Sequence, residues 1–260
     1  MTGLSVWRVE WLRLVRTRRL LALAGVFVLF GVTGPLLARY RGELVGHLAT
    51  PGSNVTIIFP PPVPADGITG YTQNALQIGL IVAVVIAASA CALDARPALS
   101  IFYRTRARTF RQLLLPRAVI SAAAAVAGYL AGTLAAWYET AVLIGAPDVG
   151  ALAEGAVADA VYLVFAVAIT ALAATLARGP LGTVGIALTV VFGGPLLGQV
   201  PALAHWLPSA LLDASNALQR HTAEDHHQRA LAVTAALIVA CVAFAVIRGA
   251  RRETPQSDNA

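Results

Sequence analysis

Six apolar runs, each near the length that crosses a bilayer, constrain this chain more than any motif in it. They fall at 20–37, 72–93, 117–138, 156–177, 181–197 and 230–247. A hydrocarbon core of about 30 Å takes about 20 consecutive apolar residues in a helix. Within it every backbone polar group must be satisfied inside the segment, so the α-helix is the expected element. Hydrophobic residues make up 58% of the chain and charged residues 12%, against about 25% charged in soluble domains. The expectation is an all-α membrane protein with a single transmembrane domain over 1–260. Only Arg178, Gly179 and Pro180 separate the fourth and fifth runs, which makes a tight helical hairpin.

Orientation follows from arginine. With the N-terminus inside, the inner segments hold Arg8, Arg13, Arg16, Arg18, Arg19, Arg96, Arg104, Arg106, Arg108, Arg111, Arg117, Arg178, Arg248, Arg251 and Arg252, fifteen in all. The outer segments hold four: Arg39, Arg41, Arg220 and Arg229. The rule that basic residues stay on the cytoplasmic side then places both termini there, in a multi-pass protein of a bacterial cytoplasmic membrane. Met1 to Arg19 is a long arginine-bearing lead, and no small-residue cleavage site follows the first run, so that run is expected to be a retained span.

All nineteen basic residues are arginine and none is lysine. In an Ala-, Gly- and Pro-rich chain this is the mark of a GC-rich coding bias and not of a nucleic-acid surface, so no nucleic-acid partner is expected. Without lysine the chain cannot hold a Walker A loop, whose lysine reaches the terminal phosphates, and it has no Schiff-base chemistry. Any ATP it depends on is hydrolysed elsewhere, with ATP and magnesium held by a partner subunit and no cofactor of its own.

Between the second and third runs lies the densest basic stretch, Ala95 to Arg117, with six of the arginines. Guanidinium groups at that density cannot sit in hydrocarbon, where each costs about 2.5–3.5 kcal/mol on insertion scales. The plain reading is a topology loop touching lipid headgroups. Leu99, Ile101, Phe102, Tyr103, Phe110, Leu113 and Leu114 supply more apolar surface than such a loop needs, which favours a docking helix for a cytosolic partner.

Ahead of the first run, Leu4, Trp7, Trp11, Leu14 and Val15 share one face at helical spacing, with Ser5, Glu10, Arg13 and Arg16 opposite. This pattern predicts an amphipathic helix over 4–19 lying in the inner interface, marked by Trp7, Trp11, Arg13 and Arg16 and in contact with membrane lipid. On the other side, Ala38 to Tyr71 is a long outer segment, and its prolines 60–62 and 64 predict an extended chain across the outer mouth. The fifth run stops at Gly193-Gly194-Pro195, short of a full crossing. Residues 198–217, punctuated by Pro201 and Pro208 and carrying Trp206, predict an outer re-entrant hairpin.

Little in the chain reads as chemistry. Cys91 and Cys241 fall within or beside apolar runs and read as small buried hydrophobes. His221, His226 and His227 stand beside Glu224 and Asp225, yet their spacing matches no metal-ligand framework, so no metal site and no catalytic residue is assigned. Asp94, Glu139 and Asp159 are expected at span ends within reach of water, leaving no mid-span charge for a proton relay. A membrane enzyme would need convergent polar groups that the sequence does not show. In the third run Ala124, Gly128 and Gly132 recur every four residues, a stripe that lets helix backbones approach closely, either within the chain or at a dimer seam.

An interfacial N-terminal helix, six spans, a basic segment between spans two and three and a broken hairpin before span six resemble the permease subunits of type-2 ABC exporters over almost the whole chain. Locally, Leu93-Asp94-Ala95-Arg96-Pro97-Ala98-Leu99, then Arg106, then Leu113-Leu114-Leu115-Pro116-Arg117, are similar to that family's coupling segment, with Pro97-Ala98 in place of its Gly-Thr. Trp206 to Leu212 resembles its outer hairpin. The resemblance implies a cytosolic ABC ATPase dimer and a second permease protomer as partners. It also implies a coupling helix at 95–116, in which Leu99, Phe102 and Tyr103 anchor the ATPase while Arg104, Arg106 and Arg108 orient it. The implied function is outward movement of an amphipathic or hydrophobic substrate such as a lipid, drug or peptide. The alternative is a membrane scaffold or immunity subunit of an ABC complex, acting on an extracytoplasmic partner without bulk transport.

Overall fold

The computed structural model describes residues 3–48, 60–92, 109–177, 179–200, 206–220 and 227–251. Among them the regular structure is helical, with no strand. In chain order the helices are α1 (Gly3–Arg16), α2 (Arg19–Leu48), α3 (Pro64–Asn74), α4 (Leu80–Cys91), α5 (Phe110–Leu143), α6 (Val149–Leu176), α7 (Pro180–Leu197), α8 (Ala210–Gln219) and α9 (His227–Arg251). A single π-helical turn, Ala75–Gly79, joins α3 to α4. Six stretches are long and apolar enough to cross a membrane: α2, the continuous α3–α4 unit, α5, α6, α7 and α9. The six apolar runs thus become one helical crossing each, in a multi-pass architecture.

Most of the helices overrun the apolar runs that announce them. The first continues beyond Leu37 to Leu48, the second begins at Pro64 and not Thr72, the third spans Phe110–Leu143 and not 117–138, and the fourth starts at Val149 and not Ala156. Hydropathy marks only the part suited to hydrocarbon, whereas a helix persists until its end groups are satisfied otherwise. Pro64 takes the first helical position of α3, where a missing N–H costs nothing. The carboxylate of Asp148 caps α6 by accepting from the Gly150 and Ala151 N–H groups at 2.8 and 3.3 Å. Within the 95–116 segment, residues 110–116, Pro116 included, form the first turns of α5.

The fifth helix keeps the bounds of its apolar run, 181–197, to within a residue and does not break at the glycines and proline near its end. Helix α7 runs through Gly193, Gly194 and Pro195 to Leu197. A proline inside a helix orphans the carbonyl four residues earlier, here that of Val191, and the hydroxyl of Tyr162 on α6 donates to that carbonyl at 3.0 Å. A neighbouring helix has supplied the missing hydrogen bond, which is how spanning helices tolerate proline.

Helix α6 is central, with 72% of its most apolar stretch buried, whereas α7 and α9 are peripheral at 17% each. Helix α2 packs closely on α5 and α3 through glycine. A β-carbon on Gly34 would lie 2.6 Å from the Tyr71 nitrogen, and one on Gly132 would lie 2.5 Å from the Phe27 carbonyl oxygen, so neither site admits a side chain without moving a backbone. Phe27, Ile68, Tyr71, Val84, Tyr129 and Leu163 fill the space around these contacts.

Candidate functional site

Two polar assemblies lie inside this apolar bundle, and each is built from residues on different helices. The first closes the arginine-rich end. Cys91 at the end of α4, Phe110, Leu114 and Ala118 at the start of α5, Ala171 near the end of α6 and Ala245 and Val246 on α9 form one apolar cluster. This end therefore collects Arg111, Arg117, Arg248 and Arg251. Across it lies α1. The guanidinium of Arg117 donates from Nε to Glu10 Oε1 at 2.8 Å and from Nη1 to the Ala90 carbonyl at 3.3 Å. Arg13 reaches the other oxygen of Glu10 at 3.4 Å. Beside them Arg19 Nη1 donates to Ser89 Oγ at 2.8 Å.

Glu10 is 5% exposed and Arg117 4%, so this is a buried ion pair. Desolvation consumes much of its Coulombic gain, but removing one partner leaves an uncompensated charge and costs about 3–5 kcal/mol. What the pair provides is position. It fastens α1 to the last turn of α4 and the second turn of α5, the two stems between which residues 93–108 run. A cavity of about 10 Å³ lined by Glu10, Arg13, Arg19, Arg117 and Ser121 lies within the assembly, room for about one water molecule.

The sequence pattern placed Glu10 on the polar face of α1 with Arg13 and Arg16. The structure corrects this by turning Glu10 inward. Leu14 is buried as well, while Trp7 and Trp11 are 40% and 49% exposed. The helix meets the bundle with an edge that mixes its apolar and acidic residues. A signal was present: Glu10 is the only acidic residue before Glu43, among five arginines, and Arg117 stands directly at the mouth of an apolar run.

The second assembly lies deeper. Asp159 is fully buried, about 15 Å along α6 from Val149 at 1.5 Å per residue, not at a water-accessible span end as its place in the apolar run implied. Tyr129 on α5 donates to Asp159 Oδ2 at 2.6 Å. Tyr71 on α3 donates to the Tyr129 carbonyl at 2.7 Å, and its ring stacks on that of Tyr129 with centroids 5.6 Å apart. The Thr133 hydroxyl lies 3.0 Å from the same carbonyl and 3.4 Å from the Tyr71 oxygen. Phe27 of α2 meets Tyr129 edge-on at 5.8 Å. Four helices thus converge around a fully buried carboxylate on the most buried of the candidate spans, a type of residue that is rare and costly there.

The other residues singled out from sequence fall as follows. Leu99, Phe102, Tyr103, Arg104, Arg106 and Arg108 lie outside the described residues, and so do His205, His221 and His226. Arg13 joins the buried ion pair through Glu10, and Arg16 is exposed on α1. Ala124 is buried, and Gly128 and Gly132 face Leu23, Ala24 and Phe27 of α2, so the small-residue stripe is filled from within the chain. Cys91 and Cys241 are buried free thiols. Among the described residues no three histidine, cysteine or acidic side chains converge as metal ligands.

At the far end of the bundle, α8 is fixed to α6 and α3: Gln219 Nε2 donates to the Asp148 carbonyl at 3.1 Å, and Arg220 pairs with Asp66 at 2.7 Å. Comparison with protein-family models and with curated proteins finds no match to this chain.

Proposed function

We propose that this chain is the membrane-spanning permease subunit of an ATP-driven type-2 ABC exporter. Separate cytosolic ATPase subunits dock on the segment between α4 and α5 and drive a rigid-body change that moves an amphipathic or hydrophobic substrate outward. The observation that carries this reading is the rooting of that segment. Its stems end in one apolar cluster shared by α4, α5, α6 and α9, and the Glu10–Arg117–Ala90 bonds fasten α1 across both of them. A load applied between residues 93 and 108 would reach four spans at once without needing the segment itself to be long or stiff.

In this reading α1 lies along the inner membrane surface, with Trp7 and Trp11 at the acyl boundary and Arg16 among the headgroups. Both termini are cytoplasmic, and the protein sits in a bacterial cytoplasmic membrane beside a second permease protomer of the same or related sequence. Leu99, Phe102 and Tyr103 enter a groove on the ATPase, with Arg104, Arg106 and Arg108 setting their orientation. Trp206 and α8 form the outer hairpin.

The test is purification of the tagged chain from its native membrane, with ATP hydrolysis measured in the eluate. ATPase activity co-elutes with the unaltered chain and is lost with Phe102→Ala/Tyr103→Ala. Retention of the ATPase after residues 95–108 are replaced by a Gly/Ser linker would overturn the docking claim.

A further inference from the structure

The corner between α1 and α2 carries an arginine where the backbone favours glycine. Arg18 has a φ of 56°, in the left-handed region where a β-carbon crowds the following carbonyl and glycine alone is at ease. It stands two residues past the end of α1, the place where helices commonly finish on a left-handed glycine. The corner itself therefore gives no reason for a long cationic side chain. Arg8, Arg16 and Arg18 are all exposed, and none of the three has a hydrogen bond or ion pair among the described residues. The acid described at this end, Glu10, is buried against Arg117 and Arg13 and is not available to them.

The same corner offers an apolar surface. Trp7, Trp11 and Val15 recur every four residues on one side of α1, and all three are exposed. The candidate span of α2 opens at Arg19, and Leu21, within one turn of Arg18, is 68% exposed. Guanidinium groups at the edge of such a surface match an anionic lipid, whose phosphate takes charge-assisted hydrogen bonds while its tails lie along apolar side chains. We propose that the α1–α2 corner binds an anionic phospholipid. Its phosphate sits at Arg16 and Arg18, its acyl chains lie along Trp11, Val15 and Leu21, and Arg8 adds to the attraction. The inference rests on α1 lying at a membrane surface, but not on an ATPase or on a transported substrate.

Trp137→Phe/Trp206→Phe leaves Trp7 and Trp11 as the tryptophans of the full chain, so fluorescence reports the lipids that approach α1. This chain is reconstituted in phosphatidylcholine vesicles with a rising fraction of phosphatidylglycerol brominated on its acyl chains, or of phosphatidylcholine brominated likewise. Brominated phosphatidylglycerol quenches with a relative association constant about tenfold above that of the phosphatidylcholine, and Arg8→Gln/Arg16→Gln/Arg18→Gln removes the difference. Arg18→Gly separates the lipid role from a structural one. It relieves the corner, so the thermal unfolding midpoint in lipid-free detergent does not fall, while the preference for phosphatidylglycerol weakens. Equal quenching by the two lipids overturns the proposal, as does a preference that survives the triple change. A lower lipid-free midpoint for Arg18→Gly also overturns it, because the arginine would then be serving the fold. Absence of quenching by both lipids would take α1 off the membrane surface, and the proposal with it. Co-elution of an ATPase is read in a separate experiment, so none of these failures is a failure of the permease reading.

Discussion

A guanidinium that bonds a carboxylate and a main-chain carbonyl at once ties together segments that sequence leaves far apart. Arg117 does this for α1, α4 and α5. Glu10→Ala should lower stability by about 3–5 kcal/mol, read as a fall in the thermal unfolding midpoint in detergent. The exchange Glu10→Arg with Arg117→Glu should recover part of the loss, which an unrelated structural defect would not do. Tyr162 offers a smaller test. Its hydroxyl satisfies the Val191 carbonyl that Pro195 orphans, so Tyr162→Phe should cost about 1–3 kcal/mol, and Tyr162→Phe combined with Pro195→Ala should cost less than the first change alone, because α7 then satisfies its own carbonyl. Neither role was legible beforehand. Periodicity assigns a residue to a face, but it cannot say which neighbouring helix that face meets, so Glu10 read as solvent-facing and Asp159 as a span-end acid.

Among the elements, the crossing of α2 with α3 and α5 has the closest contacts. Gly34 meets the backbone of α3, and Gly132 meets the Phe27 carbonyl and the Tyr71 hydroxyl. Any larger residue at Gly132 pushes α2 from α5 and disturbs the hydroxyl that bonds the Tyr129 carbonyl. Gly132→Leu should therefore destabilise by about 1–3 kcal/mol or more. The same change at Gly185, which has open space around it, should be near neutral. Thermal unfolding of the two variants side by side checks the contrast. The stripe Ala124, Gly128, Gly132 was visible in the sequence because small residues at four-residue spacing have one structural use. Its counterparts Gly31 and Gly34 stood in plain view in the first run, yet nothing in a linear pattern pairs one stripe with another. Helix ends were misplaced for a different reason: hydropathy falls away at the headgroups, while hydrogen bonding and caps such as Asp148 carry a helix on.

For the molecule as a whole, the six crossings were legible because a bilayer imposes a length and an apolar character that few other environments demand. The two polar assemblies were not, because each is spread over helices distant in sequence. Together they divide the bundle by depth, with an ion-paired clamp at the arginine-rich end and the Tyr71–Tyr129–Asp159 group farther in. The permease reading turns on the first of these, since the clamp would carry force from the cytosol only if the segment it roots is itself cytosolic. The most direct measurement uses Tyr103→Cys in a chain with Cys91→Ala and Cys241→Ala, treated with a membrane-impermeant maleimide. The account predicts labelling in inverted membrane vesicles, protection there by a bound ATPase, and none in intact cells. Labelling in intact cells would contradict both the orientation and the transport assignment.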